Sequence, residues 1–116
     1  MLFICYPACS TCKKAQLFLD ALGKPYEVRN IKQQRPTAQE LRDWQQKSGL
    51  PLRRFFNASG LAYKAQNLRE KLPQMTEDEQ LALLAADGML VRRPILVVGK
   101  KVLVGFREAE WKAALG

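Results

Sequence analysis

Two strand connections of opposite kind constrain the fold of this chain more than any other feature. The segments 2–5 and 26–29 have the composition and pattern of strands, and the residues between them have apolar positions at helical spacing. A helix that joins two neighbouring strands makes those strands parallel. Near the other end, Gly99-Lys100 is a two-residue turn between the apolar runs 95–98 and 102–104, which makes that pair antiparallel. The sequence therefore predicts a four-stranded mixed sheet.

Apolar spacing and turn residues place helices near both ends of the chain. Positions 15, 18, 19 and 22 are apolar and fall on one helical face. Ser10 or Thr11 is the expected N-cap of this helix, and Gly23 is the expected C-terminal stop. A last helix is expected from about 107 to 115.

Two capping boxes predict helices in the middle of the chain. Thr37 is followed by Glu40, and Thr76 by Glu79, in the S/T-x-x-E pattern that satisfies free N–H groups at a helix start. These signals indicate a helical insert over about 37–87, between the two halves of the sheet. We expect residues 1–116 to form a single α/β domain with helices flanking the sheet.

The composition excludes several classes of function. The chain has no histidine, which rules out an imidazole base, a Cys/His pair and a histidine-ligated metal. No apolar run approaches the roughly 18 residues of a membrane span, and the first residues lack the basic segment of a signal peptide. With three cysteines in such a chain, we expect a reducing, cytoplasmic location.

The net charge of +8 is compatible with an anionic substrate, an acidic partner or nucleic acid. The positive residues are spread along the chain, mostly as pairs: Lys13-Lys14, Arg53-Arg54, Arg92-Arg93 and Lys100-Lys101. A spread of this kind argues against nucleic acid as the partner. We expect no direct binding of nucleic acid and no membrane association.

The motif with the most specific chemical meaning is Cys9-Ser10-Thr11-Cys12, between the first strand and the first helix. Free N–H groups and the helix dipole favour negative charge at a helix N-terminus, so the pKa of a thiol there is expected below its usual value of about 8.5. Lys13 and Lys14 add positive charge nearby. Cys9 is the expected nucleophile, and Cys12, about one turn further along, is within reach to resolve a disulfide.

Two other interpretations of this motif stay open on the residues alone. The pair can be two structural thiols, or it can be half of a metal site. A metal site needs two more ligands, and Cys5 is the only other cysteine. Because Cys5 lies in an apolar strand, it is expected to be a buried core thiol.

Arginines near two turns are further candidates. Arg92-Arg93-Pro94 precedes the strand at 95–98, and one of the two arginines is expected to face the thiolate or an incoming oxyanion through bidentate hydrogen bonds. The alternative is a solvated strand entrance. Arg107 follows Gly105-Phe106 at the start of the last helix, and its alternative is an ordinary surface charge.

Together these residues resemble the arsenate reductase (ArsC)/Spx family. The resemblance rests on segment 6–15, on Arg93-Pro94-Ile95 and on Gly105-Phe106-Arg107, and it extends over nearly the whole chain, including the helical insert. It implies a thioredoxin-like, glutaredoxin-related fold with an inserted helical subdomain. It also implies a cis Pro94, which would bring backbone beside the thiol.

The resemblance also implies roles for individual residues. In arsenate reductases of this family a cysteine thiolate attacks arsenate, and three arginines hold the oxyanion. By position, Cys9 resembles the nucleophile, and Arg93 and Arg107 resemble two of the arginines. The third falls near Asn57, which carries no charge, so the residues do not predict true arsenate reduction. Cys12 is similar to the second thiol of the Spx/MgsR branch, where the C-x-x-C pair can form a disulfide switch.

We therefore expect one of two activities, or a thioredoxin-like domain without activity. The first is a thiol-dependent oxidoreductase acting on a small oxyanion or a disulfide. Its expected catalytic residues are Cys9, Cys12 and Arg93, and its expected substrate-binding residues are Arg107, Pro94 and Asn57. No bound cofactor or metal is expected, and the reductant would be an external thiol: glutathione, bacillithiol, thioredoxin or glutaredoxin. The second is an Spx/MgsR-type redox-sensing regulator that binds the C-terminal domain of the RNA polymerase α subunit. In either case we expect a monomer.

Overall fold

A computed structural model describes residues 1–116 and contains one mixed sheet of four strands. The strands are β1 (Leu2–Cys5), β2 (Glu27–Asn30), β3 (Ile95–Val98) and β4 (Lys101–Val104), in the order β2-β1-β3-β4. β1 pairs in parallel with β2 and antiparallel with β3, and β3 pairs antiparallel with β4. The predicted mixed sheet is thus confirmed, with β2 starting one residue later than the sequence predicts.

Six α-helices surround the sheet. They are α1 (Ser10–Leu22), α2 (Ala38–Ser48), α3 (Leu61–Ala65), α4 (Leu68–Lys71), α5 (Glu77–Ala86) and α6 (Glu108–Leu115). Short 3₁₀ helices lie at Leu52–Phe55, Leu72–Gln74 and Gly88–Leu90. None of the helices is long and apolar enough to cross a membrane.

The predicted N-cap of α1 is wrong. The cap is Cys9, whose backbone is extended at φ −84° and ψ 121°, and whose carbonyl oxygen accepts the N–H of Lys13 at 3.1 Å. Ser10 and Thr11 already belong to the helix. The C-terminal stop is confirmed, because Gly23 adopts the left-handed conformation at φ +71° that glycine accepts most readily.

Side-chain alternation along the strands divides the apolar residues between two cores. One face of the sheet packs against α1 and α6, and its residues are Phe3, Cys5, Leu96 and Leu103. The other face packs against the helical segment between β2 and β3, and its residues are Ile4, Ile95, Val102 and Val104. Because successive residues of a strand point to opposite faces, the central strands are buried on both sides.

Trp111 holds α6 against the sheet. Its side chain is fully buried, and its ring packs edge-to-face on Phe106 with centroids 5.0 Å apart. The indole N–H donates to the carbonyl oxygen of Gly105 at 3.0 Å. The N–H of Gly105 in turn donates to the carbonyl oxygen of Pro94 at 2.8 Å, so the start of α6 lies beside the start of β3.

A short bridge ties the helical segment to the same region. Phe56 pairs with Val91 in an isolated antiparallel bridge, and the N–H of Arg92 donates to the carbonyl oxygen of Phe55 at 2.8 Å. The N–H of Asn57 donates to the carbonyl oxygen of Leu90 at 2.7 Å. This bridge brings the loop after residue 56 next to the residues that precede β3.

A charged contact fixes α2 to β2. Arg29 donates to both carboxylate oxygens of Glu40, at 2.6 and 3.0 Å. Glu40 also completes the predicted capping box with Thr37, and the box formed by Thr76 and Glu79 is present as well. The hydrogen bonds from Arg29 hold the pKa of Glu40 at about 2, well below its ordinary value.

The depressed pKa of Glu40 predicts a loss of stability in acid. Its contribution to the free energy of unfolding is fully present above the unfolded-state pKa of about 4.3. It is lost as the pH falls through the folded-state pKa of about 2. We expect Glu40→Gln to lower stability near neutral pH and to flatten the fall in stability over this acid range, measured by urea denaturation at a series of pH values.

The matched control for this test is Asp78→Asn. Asp78 accepts a hydrogen bond from Arg42 at 2.7 Å, but its side chain is 79% exposed, and exposed pairs contribute about 1 kcal/mol or less. If the stability of Glu40→Gln and that of the unaltered protein fell equally with decreasing pH, the assignment of this loss of stability to Glu40 would be contradicted.

Candidate active site

Cys9 lies where β1 turns into α1. Its N–H donates to the carbonyl oxygen of Tyr6 at 2.9 Å, which closes the turn that ends the strand. The side chain is half-buried and opens into a cavity of about 540 Å³. The cavity is lined by Cys9, Thr11, Asn57, Ala58, Ser59, Arg92, Arg93, Gly105 and Phe106.

The surroundings of Cys9 favour its thiolate. Burial acts to raise the pKa of Cys9, but hydrogen bonds from the backbone N–H and the thiol of Cys12 and from the backbone N–H of Thr11 lower it, as does the positive charge of Arg93. The net effect is a pKa below the ordinary value, in the direction expected for the N-terminus of a helix. Lys13 and Lys14 are exposed, and the side-chain cation that acts on Cys9 is Arg93.

Cys12 has the opposite environment. It is 2% exposed, and this burial raises the pKa of its thiol to about 12. The backbone N–H of Tyr6 donates to Sγ of Cys12 at 3.4 Å and acts in the other direction, whereas the hydrogen bond that the Cys12 thiol makes with Cys9 raises the pKa further. The pair therefore combines a half-buried thiol whose pKa is lowered with a buried thiol whose pKa is raised.

Cys5 is buried in β1, as the sequence predicts. It is 5% exposed, and burial raises the pKa of its thiol. All three cysteines are free thiols in this structure. No group of three or more cysteine, aspartate or glutamate side chains is placed to hold a metal ion.

Arg93 is held in place by backbone carbonyls. Its Nη1 donates to the carbonyl oxygens of Met89 and Val91 at 3.3 and 3.2 Å, and its Cζ lies 5.3 Å from the centre of the Tyr6 ring. Nε is buried and has no hydrogen-bond partner in the protein. Arg93 thus lines the cavity with a charge that backbone carbonyls hold in place.

The peptide bond between Arg93 and Pro94 is cis, which confirms what the resemblance implied. Pro94 itself is buried and is not part of the cavity wall. Its carbonyl oxygen accepts the N–H of Gly105 at 2.8 Å. Its effect on the cavity is therefore made through the backbone.

Asn57 lies in the cavity wall, in the loop that follows the bridge to Val91. Its Oδ1 accepts a hydrogen bond from Oγ of Ser59 at 3.2 Å. The Asn57 side chain is thus engaged within its own loop, and it brings no charge to the cavity.

Arg107 does not line the cavity, whereas Arg92 does. Arg107 is the exposed N-cap residue of α6. The sequence singles out the pair Arg92-Arg93 but does not indicate that both side chains reach the same space. That outcome depends on Gly105, where a Cβ atom would lie only 2.8 Å from Nε of Arg92.

The comparison with known sequences places these residues in a family. Residues 5–114 match the ArsC family. "Uncharacterized protein YusI" of Bacillus subtilis is 49% identical over 110 residues, which cover 95% of this chain and 93% of the relative. "Regulatory protein MgsR" of the same organism is 31% identical over 108 residues, which cover 93% of this chain and 84% of the relative.

Solved structures agree with the sequence match. An ArsC family related protein from Bacteroides fragilis superposes with a TM-score of 0.94 at 51% identity, covering 97% of this chain and 94% of that one. A possible arsenate reductase from Streptococcus mutans superposes with a TM-score of 0.89 at 44% identity, covering 97% and 96%. These neighbours share the thioredoxin-like arrangement of sheet and helices described above. The chain belongs to the ArsC family.

Proposed function

We propose that this protein is a thiol-dependent oxidoreductase that reduces small disulfides with Cys9 as nucleophile and Cys12 as resolving thiol. The observation that carries the proposal is the placement of Cys9 at the N-terminus of α1, in an open cavity that it shares with Arg93. Family membership and the arsenate-reductase-like structural neighbours support a site of this kind.

The proposed reaction is a thiol–disulfide exchange in two steps. The thiolate of Cys9 attacks one sulfur of the substrate disulfide, a new S–S bond forms to Cys9, the substrate S–S bond breaks, and the departing thiolate takes up a proton. Cys12 then loses its proton and attacks Sγ of Cys9, which releases the second half of the substrate as a thiol. The two cysteines are oxidised to a disulfide, and the substrate is reduced to two thiols.

The environment of Cys12 supports its role in the second step. Burial is the main reason for the high pKa of Cys12, but the hydrogen bond to Cys9 and the negative charge on Cys9 also raise it. Both contributions from Cys9 disappear once Cys9 carries a mixed disulfide. The N–H of Tyr6 still donates to Sγ of Cys12 and favours its thiolate. The pKa of Cys12 therefore falls at the step in which its thiolate attacks Cys9.

A disulfide is proposed as the substrate in preference to arsenate. Asn57 stands where the family's third arginine is expected, and it offers no charge to a small oxyanion. Arg93 stabilises the thiolate of Cys9 and the negative charge that develops on the exchanging sulfurs. The cycle is completed by an external thiol reductant, of the glutathione, bacillithiol, thioredoxin or glutaredoxin type, which a reducing cytoplasm supplies.

Trapping of the mixed disulfide tests this mechanism. With excess bis(2-hydroxyethyl) disulfide, we expect Cys12→Ser to stop as a stable adduct on Cys9, because no second thiol can release it. We expect the unaltered protein to pass on to an internal disulfide with loss of two hydrogen atoms. Mass spectrometry of the intact and digested protein distinguishes the two products.

Cys5→Ala is the control for the trapping experiment, because Cys5 is buried and has no part in the exchange. It should form the same internal disulfide as the unaltered protein. An adduct that accumulates on Cys9 while Cys12 is present, or a disulfide that includes Cys5, would rule out the proposed order of events.

A second function is favoured by the relative named "Regulatory protein MgsR", which matches 93% of this chain. In this case oxidation of Cys9 and Cys12 would switch the affinity for a protein partner, the C-terminal domain of the RNA polymerase α subunit. The same pair of thiols serves both functions, since the disulfide that ends a reductase cycle is also the signal of a redox switch.

Binding of the purified α-subunit domain to the oxidised and the reduced protein tests this second function. We expect the two redox forms to bind with affinities that differ by about tenfold or more, which corresponds to about 1.4 kcal/mol of coupling. Calorimetry with Cys9→Ser, which cannot form the disulfide, provides the reference. Absence of binding in both redox forms would eliminate the regulatory function and leave the reductase.

A further inference from the structure

Three arginines from separate segments lie near one another, and one of them reaches the Cys9 cavity. Arg92 lines the cavity, and the bridge between its N–H and the carbonyl oxygen of Phe55 brings Arg54 alongside. The hydrogen bond from Gly105 to Pro94 brings the start of α6, and with it Arg107, to the same place. We call Arg54, Arg92 and Arg107 the arginine cluster.

No acidic side chain neutralises the arginine cluster. The ion pairs of the structure are Arg29–Glu40 and Arg42–Asp78, and neither involves the cluster. Arg92 is half-buried, and no side-chain hydrogen bond to a protein acceptor offsets its charge. Burial lowers the pKa of Arg92, and the charges of Arg54 and Arg107 lower it further. The folded protein therefore concentrates repelling positive charges around Arg92, which lines the same cavity as Cys9.

The cluster differs from Arg93 in what it can still bind. Nη1 of Arg93 already donates to the carbonyl oxygens of Met89 and Val91. The guanidinium of Arg92 lies against the backbone of Gly105, with its donors unused by the protein. A carboxylate beside Arg92 would accept bidentate, charge-assisted hydrogen bonds and would relieve the repulsion within the cluster.

We propose that the arginine cluster binds a carboxylate of the substrate, so that the preferred substrate is a small disulfide that carries carboxylate groups. This inference rests on the proposed disulfide reductase function. Arg92 and Cys9 line the same cavity, so a carboxylate held at Arg92 positions the S–S bond of a short molecule for attack by the Cys9 thiolate. The exchange then follows the two steps given above, with the carboxylate unchanged.

Three small disulfides of similar length and different charge test the proposal. Dithiodipropionate carries two carboxylates, bis(2-hydroxyethyl) disulfide is neutral, and cystamine carries two ammonium groups. The rate at which each oxidises the reduced protein is measured by stopped flow. Each rate is divided by the rate of the same disulfide with free mercaptoethanol, which removes differences in intrinsic reactivity.

We expect the unaltered protein to prefer dithiodipropionate over the neutral disulfide by about tenfold or more, as charge-assisted hydrogen bonds to one carboxylate allow. Arg92→Gln and Arg54→Gln should each reduce this ratio several-fold. If circular dichroism shows a folding defect in one of these two variants, the rate ratio of the other variant still tests the proposal.

Arg53→Gln is the matched control. It removes the same charge from the residue next to Arg54, but Arg53 is exposed and lines a different cavity with Pro51 and Tyr63. Its ratio should stay within about twofold of the unaltered protein, since long-range effects of net charge act on both sites alike.

The outcomes separate this inference from the function on which it rests. Equal ratios in all proteins, or equal losses in Arg53→Gln and Arg54→Gln, overturn the carboxylate site while the reductase stands. Failure of all three disulfides to oxidise Cys9 overturns the reductase, and the inference with it.

Discussion

The proposed chemistry of this protein depends on the stabilisation of negative charge on the sulfur of Cys9. Partial burial opposes ionisation of Cys9, and hydrogen bonds from Cys12 and Thr11 together with the charge of Arg93 outweigh it. The backbone donors are available because α1 begins at this point and its first N–H groups have no partners within the helix. A cysteine at the N-cap receives these donors, and one placed a turn later, such as Cys12, is buried instead.

The rest of the fold holds Cys9 and its neighbouring groups in position. α1 follows β1 directly, and β3 lies next to β1 in the sheet, so the residues that precede β3 come close to the end of β1. Arg93 is fixed there by carbonyl oxygens of the preceding residues. The buried indole of Trp111 and the N–H of Gly105 tie the start of α6 to the same place. The sulfur of Cys9 and its neighbouring arginines are thus positioned by the ends of strands and helices.

Local signals in the sequence predicted most of the fold. Both capping boxes, the stop at Gly23 and the turn at Gly99-Lys100 depend on residues a few positions apart, and each was predicted. The N-cap of α1 was missed because serine and threonine are the usual capping residues, whereas here the cap makes no side-chain hydrogen bond. The backbone of Cys9, held by Tyr6, decides where the helix begins.

The site could be predicted only in part, because side-chain placement depends on contacts between distant segments. Cys9 and one arginine of the pair Arg92-Arg93 follow from their positions at the ends of adjacent strands, and the family resemblance singles out Arg93. Arg92 and Arg107 do not: Arg92 reaches the cavity because Gly105 leaves room for it, and Arg107 is exposed at the start of α6. No spacing rule relates residue 92 to residues 54 and 107, so only the packed structure brings these three arginines together.

Direct titration of the Cys9 thiolate by its ultraviolet absorbance tests the central claim most directly. The absorbance difference between the unaltered protein and Cys9→Ser reports this one sulfur, since the pKa values of Cys5 and Cys12 are both raised. We predict a midpoint below the value of about 8.5 for a free cysteine and a higher midpoint in Arg93→Gln. A midpoint at or above that of free cysteine, or one that Arg93→Gln leaves unchanged, would contradict the account.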